Sequence, residues 1–407
     1  MAPRYAAWLA DELDSARDRA AANPAARGIG SDLISFGAGQ PAVELYPLEP
    51  LARALSRAVH EHGPQVLPYG ETEGLPALRE LIAERLTRRG LSVGPHNVLI
   101  TSGSMQGLHL VGRIFLDHRD VILTEAPTFM GALSTWEHQQ PKYLSAPVDS
   151  DGLVLEALEE AVRRAPRHPR FLYLMPTFQN PSGVSLGPER RRRLLELAEQ
   201  FDLMLLEDDP YGEFWFDEGA ARTRPIRSLP GAEDRVIYLG TFSKILAPGL
   251  RLAYAVASEE LIARLARAKR GVDFHTDALL QQAVVHLARD PEFDFESHIV
   301  AARAEYKARR DAMLDALETT FPSDIAWTRP AGGFFLWLEL PRGASGTAVA
   351  DVALAEGVAV MPGPIFFPNG GGHSAVRLGF SNATPARITE GIRRLARAVA
   401  IAADPAA

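Results

Sequence analysis

The chain has no cysteine among its 407 residues. Disulfides, thiolate metal sites, iron–sulfur clusters and cysteine nucleophiles are therefore excluded before any motif is read. It also lacks an apolar run approaching the ~20 residues needed to span a bilayer, and its mean hydropathy is −0.06. A membrane protein is not expected. Residues 1–22 contain Arg4, Asp11, Glu12, Asp14, Arg17, Asp18 and Arg19, so the start has no uninterrupted apolar stretch like that of a secretory signal, and a cytoplasmic location is expected. Excess positive charge is missing too. Lys and Arg number 43 against 51 Asp and Glu, a formal net charge of −8, with the arginines scattered over helical segments. Nothing in that balance draws nucleic acid, which is not expected as a partner.

What is present is the composition of a compact protein. Hydrophobic residues make up 46% and charged residues 23%, which excludes disorder. The length exceeds what one core usually supports, so two linked domains of unequal size are expected. From about residue 95 to 275 short apolar runs alternate with longer amphipathic ones, the pattern of β–α units feeding a mostly parallel sheet. Strands are predicted at Val98–Thr101, Asp120–Thr124, Phe171–Leu174, Leu203–Glu207, Val236–Leu239 and Leu252–Val256. Helices are predicted at Ser104–Phe115, Leu153–Arg164, Pro188–Phe201 and Glu259–Arg270, with a long charged helix at Phe293–Thr319. Beyond Pro330, strands at Gly333–Leu340 and Val376–Phe380 and helices at Thr347–Glu356 and Pro385–Ala400 read as a separate α+β domain. The segments Gly37–Pro50 and Pro362–Gly372, rich in Gly and Pro, read as ordered loops. The expected division is an N-terminal helix and arm over residues 1–50 that joins the small domain, a large domain over 51–295 and a small one over 296–407.

The most informative stretch is Gly240-Thr-Phe-Ser-Lys-Ile-Leu-Ala-Pro-Gly-Leu-Arg251, where a lysine directly follows a predicted strand. A loop lysine is usually solvated, protonated and a poor nucleophile. Here Thr241, Ser243 and Arg251 supply two hydroxyls and a planar guanidinium, the groups that hold a phosphate dianion beside an imine-forming amine, Lys244. In Leu203-Met-Leu-Leu-Glu-Asp-Asp-Pro-Tyr211 a strand delivers adjacent carboxylates and a tyrosine. Such a pair can simply end a strand in solvent; alternatively Asp208 keeps the nitrogen of a pyridoxal ring protonated and Tyr211 bonds its phenolic oxygen. Asn180, in Gln179-Asn-Pro-Ser-Gly183, is an ordinary turn residue taken alone and a second phenolate donor in that combination. Thr101-Ser-Gly-Ser-Met-Gln106 opens a helix with free amides, either a plain cap or a phosphate site. Phe129 could stack on a cofactor ring or pack in the core. Arg377 stands inside the apolar strand Val376–Phe380, where a charge is costly unless paired; a structural ion pair and bidentate capture of a substrate α-carboxylate both account for it. Phe36, Phe274, Phe334 and Phe366 fit an apolar substrate pocket and core packing equally well.

With these residues assembled, residues 32 to about 400 resemble the class I/II aminotransferases of fold type I, and more narrowly the 2-aminoadipate aminotransferase group and the catalytic domains of MocR regulators. The resemblance implies an α/β fold: a large domain with a mostly parallel seven-stranded sheet between helices, plus a smaller α+β domain. It implies pyridoxal 5'-phosphate as cofactor and a ping-pong transfer of an amino group between an L-amino acid and a 2-oxo acid, commonly 2-oxoglutarate. Lys244 matches the lysine that carries the cofactor as an imine, Asp208 the ring-nitrogen partner, and Tyr211 and Asn180 the phenolate donors. Ser104, Met105, Thr241, Ser243 and Arg251 match the phosphate cup, Arg377 the α-carboxylate arginine, and Gly39 the glycine lining the carboxylate site. Tyr69, in Leu67-Pro-Tyr-Gly-Glu-Thr-Glu-Gly74, matches a tyrosine that reaches the neighbouring subunit's phosphate, which implies a homodimer. No metal is implied. Two departures stand out. The ring-stacking position is Phe129 where tyrosine is frequent, and Ser15–Arg19 lacks the helix motif by which aminoadipate enzymes engage the substrate side chain, so that specificity does not carry over. The cofactor-domain pattern begins near residue 32, so the winged-helix module of the regulators, and a regulatory role, are not expected. Other pyridoxal reactions on the same scaffold, by a lyase, a decarboxylase or a biosynthetic cyclase, remain open, as does a non-catalytic sensor.

Overall fold

Alternating runs of apolar and amphipathic sequence fold into three sheets, of eight, four and two strands, with helices packed against them. The structure, a computed structural model, describes residues 32–221, 223–341 and 343–403. The expected N-terminal helix, with Ser15–Arg19, lies outside the described residues.

A two-residue strand β1, Ile34–Ser35, comes first, and the large sheet is built from the next eight. These are β2 (Val98–Thr101), β3 (Val121–Ala126), β4 (Lys142–Asp149), β5 (Gly152–Leu153), β6 (Phe171–Leu174), β7 (Met204–Asp208), β8 (Val236–Thr241) and β9 (Ala253–Val256). Their spatial order is β2-β9-β8-β7-β6-β3-β4-β5. The pairs β4/β3, β3/β6, β6/β7 and β7/β8 are parallel, whereas β8/β9, β9/β2 and β4/β5 are antiparallel. The sheet thus has eight strands where seven were expected, because the chain folds back after β4 into the short β5. Strand β4 itself escapes the sequence pattern: its run KYLSAPVD carries a proline and half-exposed positions, as strands near a sheet edge do. The central strands β6, β8 and β9 are buried throughout, which is why they read as unbroken apolar runs.

Strand order decides where the site lies. From β3 the chain leaves the middle of the sheet toward β4, then returns to β6 and proceeds the other way through β7 and β8. Such a reversal opens a crevice at the carboxyl ends of the strands, the place where open α/β sheets bind ligands.

The second sheet joins β10 (Ala326–Trp327), β11 (Phe335–Glu339), β13 (Met361–Pro362) and β14 (Ala375–Gly379) in the order β10-β11-β14-β13, all antiparallel. Beside it β1 pairs in parallel with β12, Val358–Ala359, so the segment leading into the large sheet is anchored on the C-terminal part of the chain. A helix spanning Phe295–Thr320 packs on the C-terminal helix Pro385–Ala403, its first amides received by the Asp294 carboxylate. Among the described residues no helix is long and apolar enough to cross a membrane. One loop expectation fails in part. A helix, Leu48–Val66, begins inside Gly37–Pro50, with Pro50 in its first turn, where a missing amide hydrogen costs nothing. Prolines at both ends of that helix mask its periodicity.

Candidate active site

At the crevice the carboxyl ends of β3, β6, β7 and β8 meet the small sheet around a cavity of about 460 Å³. Its walls include Gly39, Ser104, Met105, Phe129, Asn180, Asp208, Tyr211, Thr241, Ser243, Lys244, Arg251 and Arg377, all of them named from the sequence.

Lys244 follows β8, and its Nζ donates to the main-chain oxygen of Gly39 at 2.7 Å. Burial, reinforced by the Arg377 and Arg251 guanidiniums and opposed by Asp208, pushes its amine down to about 8. Asp208 ends β7, and one of its oxygens accepts from the Tyr173 hydroxyl at 3.0 Å. Burial raises this carboxyl to about 7, with Asp209 adding to the rise while Tyr173 and Lys244 oppose it. Tyr211 is buried against Phe334 and Phe335 at ring-centroid distances of 5.1 and 5.8 Å, and burial lifts its hydroxyl above its ordinary range. The Lys244 Nζ lies 5.9 Å from the centre of the Tyr211 ring.

Arg377 projects from β14 into the same space. Its Nη1 donates to Asn180 Oδ1 at 2.8 Å and its Nη2 to the Gly37 carbonyl, while the guanidinium lies 4.1 Å from the centre of the Phe335 ring. Its Nε is buried without a partner, and it makes no ion pair among the described residues. A structural salt bridge therefore does not account for this arginine. An unpaired buried cation is costly unless a ligand completes it, and burial brings this one down to about 10. The same Asn180 amide that orients Arg377 through Oδ1 keeps its NH₂ free as a donor.

Around the helix Ser104–Phe115 the packing clears room for an anion. Gly103 adopts a φ of +93°, and a Cβ there would fall 2.1 Å from Arg251 Nη2, so only glycine lets that guanidinium lie across the helix start. Arg251 itself is left-handed at φ 50° and makes only long contacts, 3.4 Å, to the Pro248 and Ser102 carbonyls. A non-glycine residue in that conformation costs on the order of 1 kcal/mol, consistent with a side chain placed for a ligand. Thr241 Oγ1 accepts from the Ser243 amide at 3.0 Å, fixing the turn that presents Lys244.

Tyr69 does not line the cavity. It is 87% exposed and packs edge-on to Phe274 and His275 at 5.4 and 6.0 Å. Phe36, Phe334 and Phe366 are fully buried, and the cavity's apolar wall is instead Phe335, Met130, Met175, Met361 and Ala359. Sequence reading missed these, and Tyr173 with them, because each sits in an apolar run indistinguishable from core.

The donor set is specific in its charge. One carboxylate, Asp208, faces three cations, Lys244, Arg251 and Arg377. Pyridoxal 5'-phosphate with an amino-acid substrate would fit this set: a phosphate and a carboxylate for two guanidiniums, a protonated ring nitrogen for a carboxylate and an aldehyde for an amine. Fold and site together define a pyridoxal-phosphate enzyme of fold type I.

Residues 31–395 match the family aminotransferase class I and II. The chain is 42% identical over 367 residues to a 2-aminoadipate transaminase of Thermus thermophilus, covering 90% of each chain. It is 39% identical over 373 residues to aromatic-amino-acid aminotransferase 1 of Thermococcus litoralis, covering 91% of this chain and 88% of that one. A solved structure of an alpha-aminoadipate aminotransferase from Thermus thermophilus, complexed with N-(5'-phosphopyridoxyl)-L-leucine, superposes with a TM-score of 0.84 at 40% identity, covering 95% of this chain and 98% of that one. The chain belongs to the class I and II aminotransferases. It is a transaminase that uses pyridoxal phosphate.

Proposed function

We propose that Lys244, Asp208, Tyr211, Asn180 and Arg377 carry out the transamination of an L-amino acid with an uncharged, largely apolar side chain, with 2-oxoglutarate as the returning acceptor. When bound, pyridoxal phosphate supplies the aldehyde that takes the amino group and a protonated ring that draws electrons from the substrate α-carbon. Lys244 then acts as the base. With its amine brought down to about 8, a useful fraction is unprotonated near neutrality, so Nζ accepts the substrate's α-proton and later returns a proton. The Gly39 carbonyl, 2.7 Å from Nζ, holds the amine at the front of the cavity. Asp208 keeps the ring nitrogen protonated, and Tyr211 and the Asn180 amide donate toward the phenolic oxygen. Ser104, Met105, Thr241, Ser243 and Arg251 would hold the phosphate, and Phe129 would supply the ring with an aromatic contact. Arg377, aimed by Asn180 and Gly37, forks onto the substrate carboxylate.

One observation carries this assignment: a buried arginine with no carboxylate partner and the lysine lowered to about 8 open onto one cavity. The apolar side-chain preference of the amino donor rests on Phe335, Met130, Met361 and Ala359 among the lining residues. The relative named for aromatic amino acids points the same way. Measuring half-reactions of the holoenzyme with a panel of amino acids, with 2-oxoglutarate as acceptor and Lys244→Ala as blank, tests it. Preference for acidic donors, or an acceptor other than 2-oxoglutarate, would overturn the substrate assignment.

A homodimer with shared sites is part of the same reading. The exposed Tyr69 ring, flanked by Phe274, which is 46% exposed, is an aromatic pair with nothing covering it among the described residues. A Tyr69 side chain completing the partner's phosphate site predicts that Tyr69→Phe weakens cofactor retention in an otherwise intact dimer. The division into residues 1–50, 51–295 and 296–407 is proposed on the same footing, supported by the pairing of β1 with β12.

A further inference from the structure

Asp209, next in the chain to Asp208, bonds an arginine that lines a second cleft. Its Oδ2 accepts from Arg89 Nη2 at 2.7 Å and from the Tyr238 hydroxyl at 2.8 Å, and Arg89 lines a separate space of about 880 Å³. Five arginines surround that space, Arg85, Arg88, Arg89, Arg224 and Arg303, against two carboxylates, Glu213 and Glu296.

Both carboxylates are already engaged by Arg85, whose Nη2 stands 2.8 Å from Glu213 and whose Nη1 bonds Glu296. Arg88 reaches Glu296 only at 3.7 Å and is exposed. Arg303 stacks 3.7 Å from the centre of the Trp215 ring and gives its Nε to the Glu213 main-chain oxygen, with no ion pair of its own among the described residues. Arg224 has neither hydrogen bond nor ion pair from its side chain among the described residues; it packs on Gly90, whose φ of +91° and lack of a Cβ leave it that room. Five guanidiniums line the cleft against two carboxylates, an excess of three positive charges, and Asp209, which holds Arg89 from outside the lining, offsets one of them on a chain whose net charge is −8. A salt-bridge network built only for stability would balance its charges. This one leaves Arg224 and Arg303 without an ion pair among the described residues of a cleft lined mostly by one sign of charge, the setting in which field lines concentrate and oxyanions are bound bidentately.

We infer that this cleft is a binding site for a small phosphate-bearing dianion, and that its occupancy is felt at Asp208 through Arg89 and Asp209. The charge of Asp209, with Tyr173 and Lys244, acts on the Asp208 carboxyl. An anion placed against Arg89 draws on the guanidinium that Asp209 now holds and so alters the field at its neighbour Asp208. Inorganic phosphate is the probe, titrated into the holoenzyme, whose own phosphate cup is then filled by the cofactor. Calorimetry should give saturable binding, and the cofactor's visible absorption band should change in intensity at constant pH over the same concentration range. In Arg88→Ala/Arg224→Ala, two exposed side chains outside the catalytic set, binding should weaken roughly tenfold or more, as expected for lost charge-assisted bonds. Arg224→Glu should abolish it while basal transamination is kept. Absence of saturable heat, or equal affinity in the double variant, overturns the site. Binding that leaves the absorption band unchanged overturns the coupling to Asp208. The calorimetric arm does not depend on which amino acid the enzyme prefers, so it fails or succeeds separately from the substrate assignment.

Discussion

Asp208 and Asp209 are neighbours in the chain and are bound to opposite surroundings. Asp208 accepts one hydrogen bond, from Tyr173 at 3.0 Å, and opens onto the cofactor cavity. Asp209 is held by Arg89 at 2.7 Å and Tyr238 at 2.8 Å, away from it. Successive side chains at a strand end point to opposite sides, so one carboxylate is left for chemistry while the other ties the turn to the helix Pro76–Arg88 and to β8.

Substituting the two aspartates should therefore separate activity from stability. Asp208→Asn keeps the shape and removes the charge that, in the proposed role, would hold the ring proton, so turnover should fall on the order of 10²-fold or more with little change in melting temperature. Asp209→Asn leaves Arg89 without its anion, which should cost ~3 kcal/mol of stability. Thermal melts and steady-state rates on both variants decide it; equal melting temperatures would refute the division of labour.

Lys244→Ala should remove covalent attachment of the cofactor and lower turnover by on the order of 10²–10⁴-fold. Mass spectrometry after borohydride treatment should find the adduct on Lys244 in wild-type protein and nowhere in the variant. An adduct at another lysine would displace Lys244 from the role.

Arg377→Lys keeps a positive charge but loses the planar fork and the bond to Asn180. KM for the amino-acid substrate should rise by roughly 10–100-fold, as for a charged hydrogen bond worth about 1.5–3 kcal/mol. The effect should fall on every α-amino acid tested, because the carboxylate is common to them all. A change confined to one side-chain class would assign Arg377 to the side chain instead.

Glu125 gives the stability of the cofactor-free protein a pH dependence. It is buried in β3, accepts the Met175 amide at 2.9 Å, and its carboxyl is pushed up to about 8 by burial. The folded protein then binds a proton that the unfolded chain releases near 4.5, so this contribution is full below that pH and is lost as pH rises toward 8. Asp208 and Glu207, each raised to about 7, act in the same direction. Melting temperature should fall as pH rises through this window, and Glu125→Gln should make the decline shallower. Parallel curves for the two proteins would exclude Glu125 as a source.

Much of the fold was legible because strands buried on both faces leave continuous apolar runs: the antiparallel Val98–Thr101 and the parallel Phe171–Leu174 both lie where the runs place them. Strand β4 and the helix Leu48–Val66 were not legible, since proline interrupts the periodicity in both. Within the site, Lys244, Thr241, Ser243 and Arg251 could be read together because one short loop carries them.

The amino-acid sequence by itself determined the chemical repertoire: an amine, two hydroxyls and a guanidinium within twelve residues, adjacent carboxylates at a strand end, and no thiol. Only the tertiary structure decided which carboxylate faces the cavity, that Arg377 meets Asn180 across 197 positions of chain, and that Phe335 and Met361 line the cavity wall while Phe36 and Phe366 pack in the core. The physical reason is common to all three. A side chain's type is local, but its burial, its partner and hence its proton affinity depend on which distant strands pack against it.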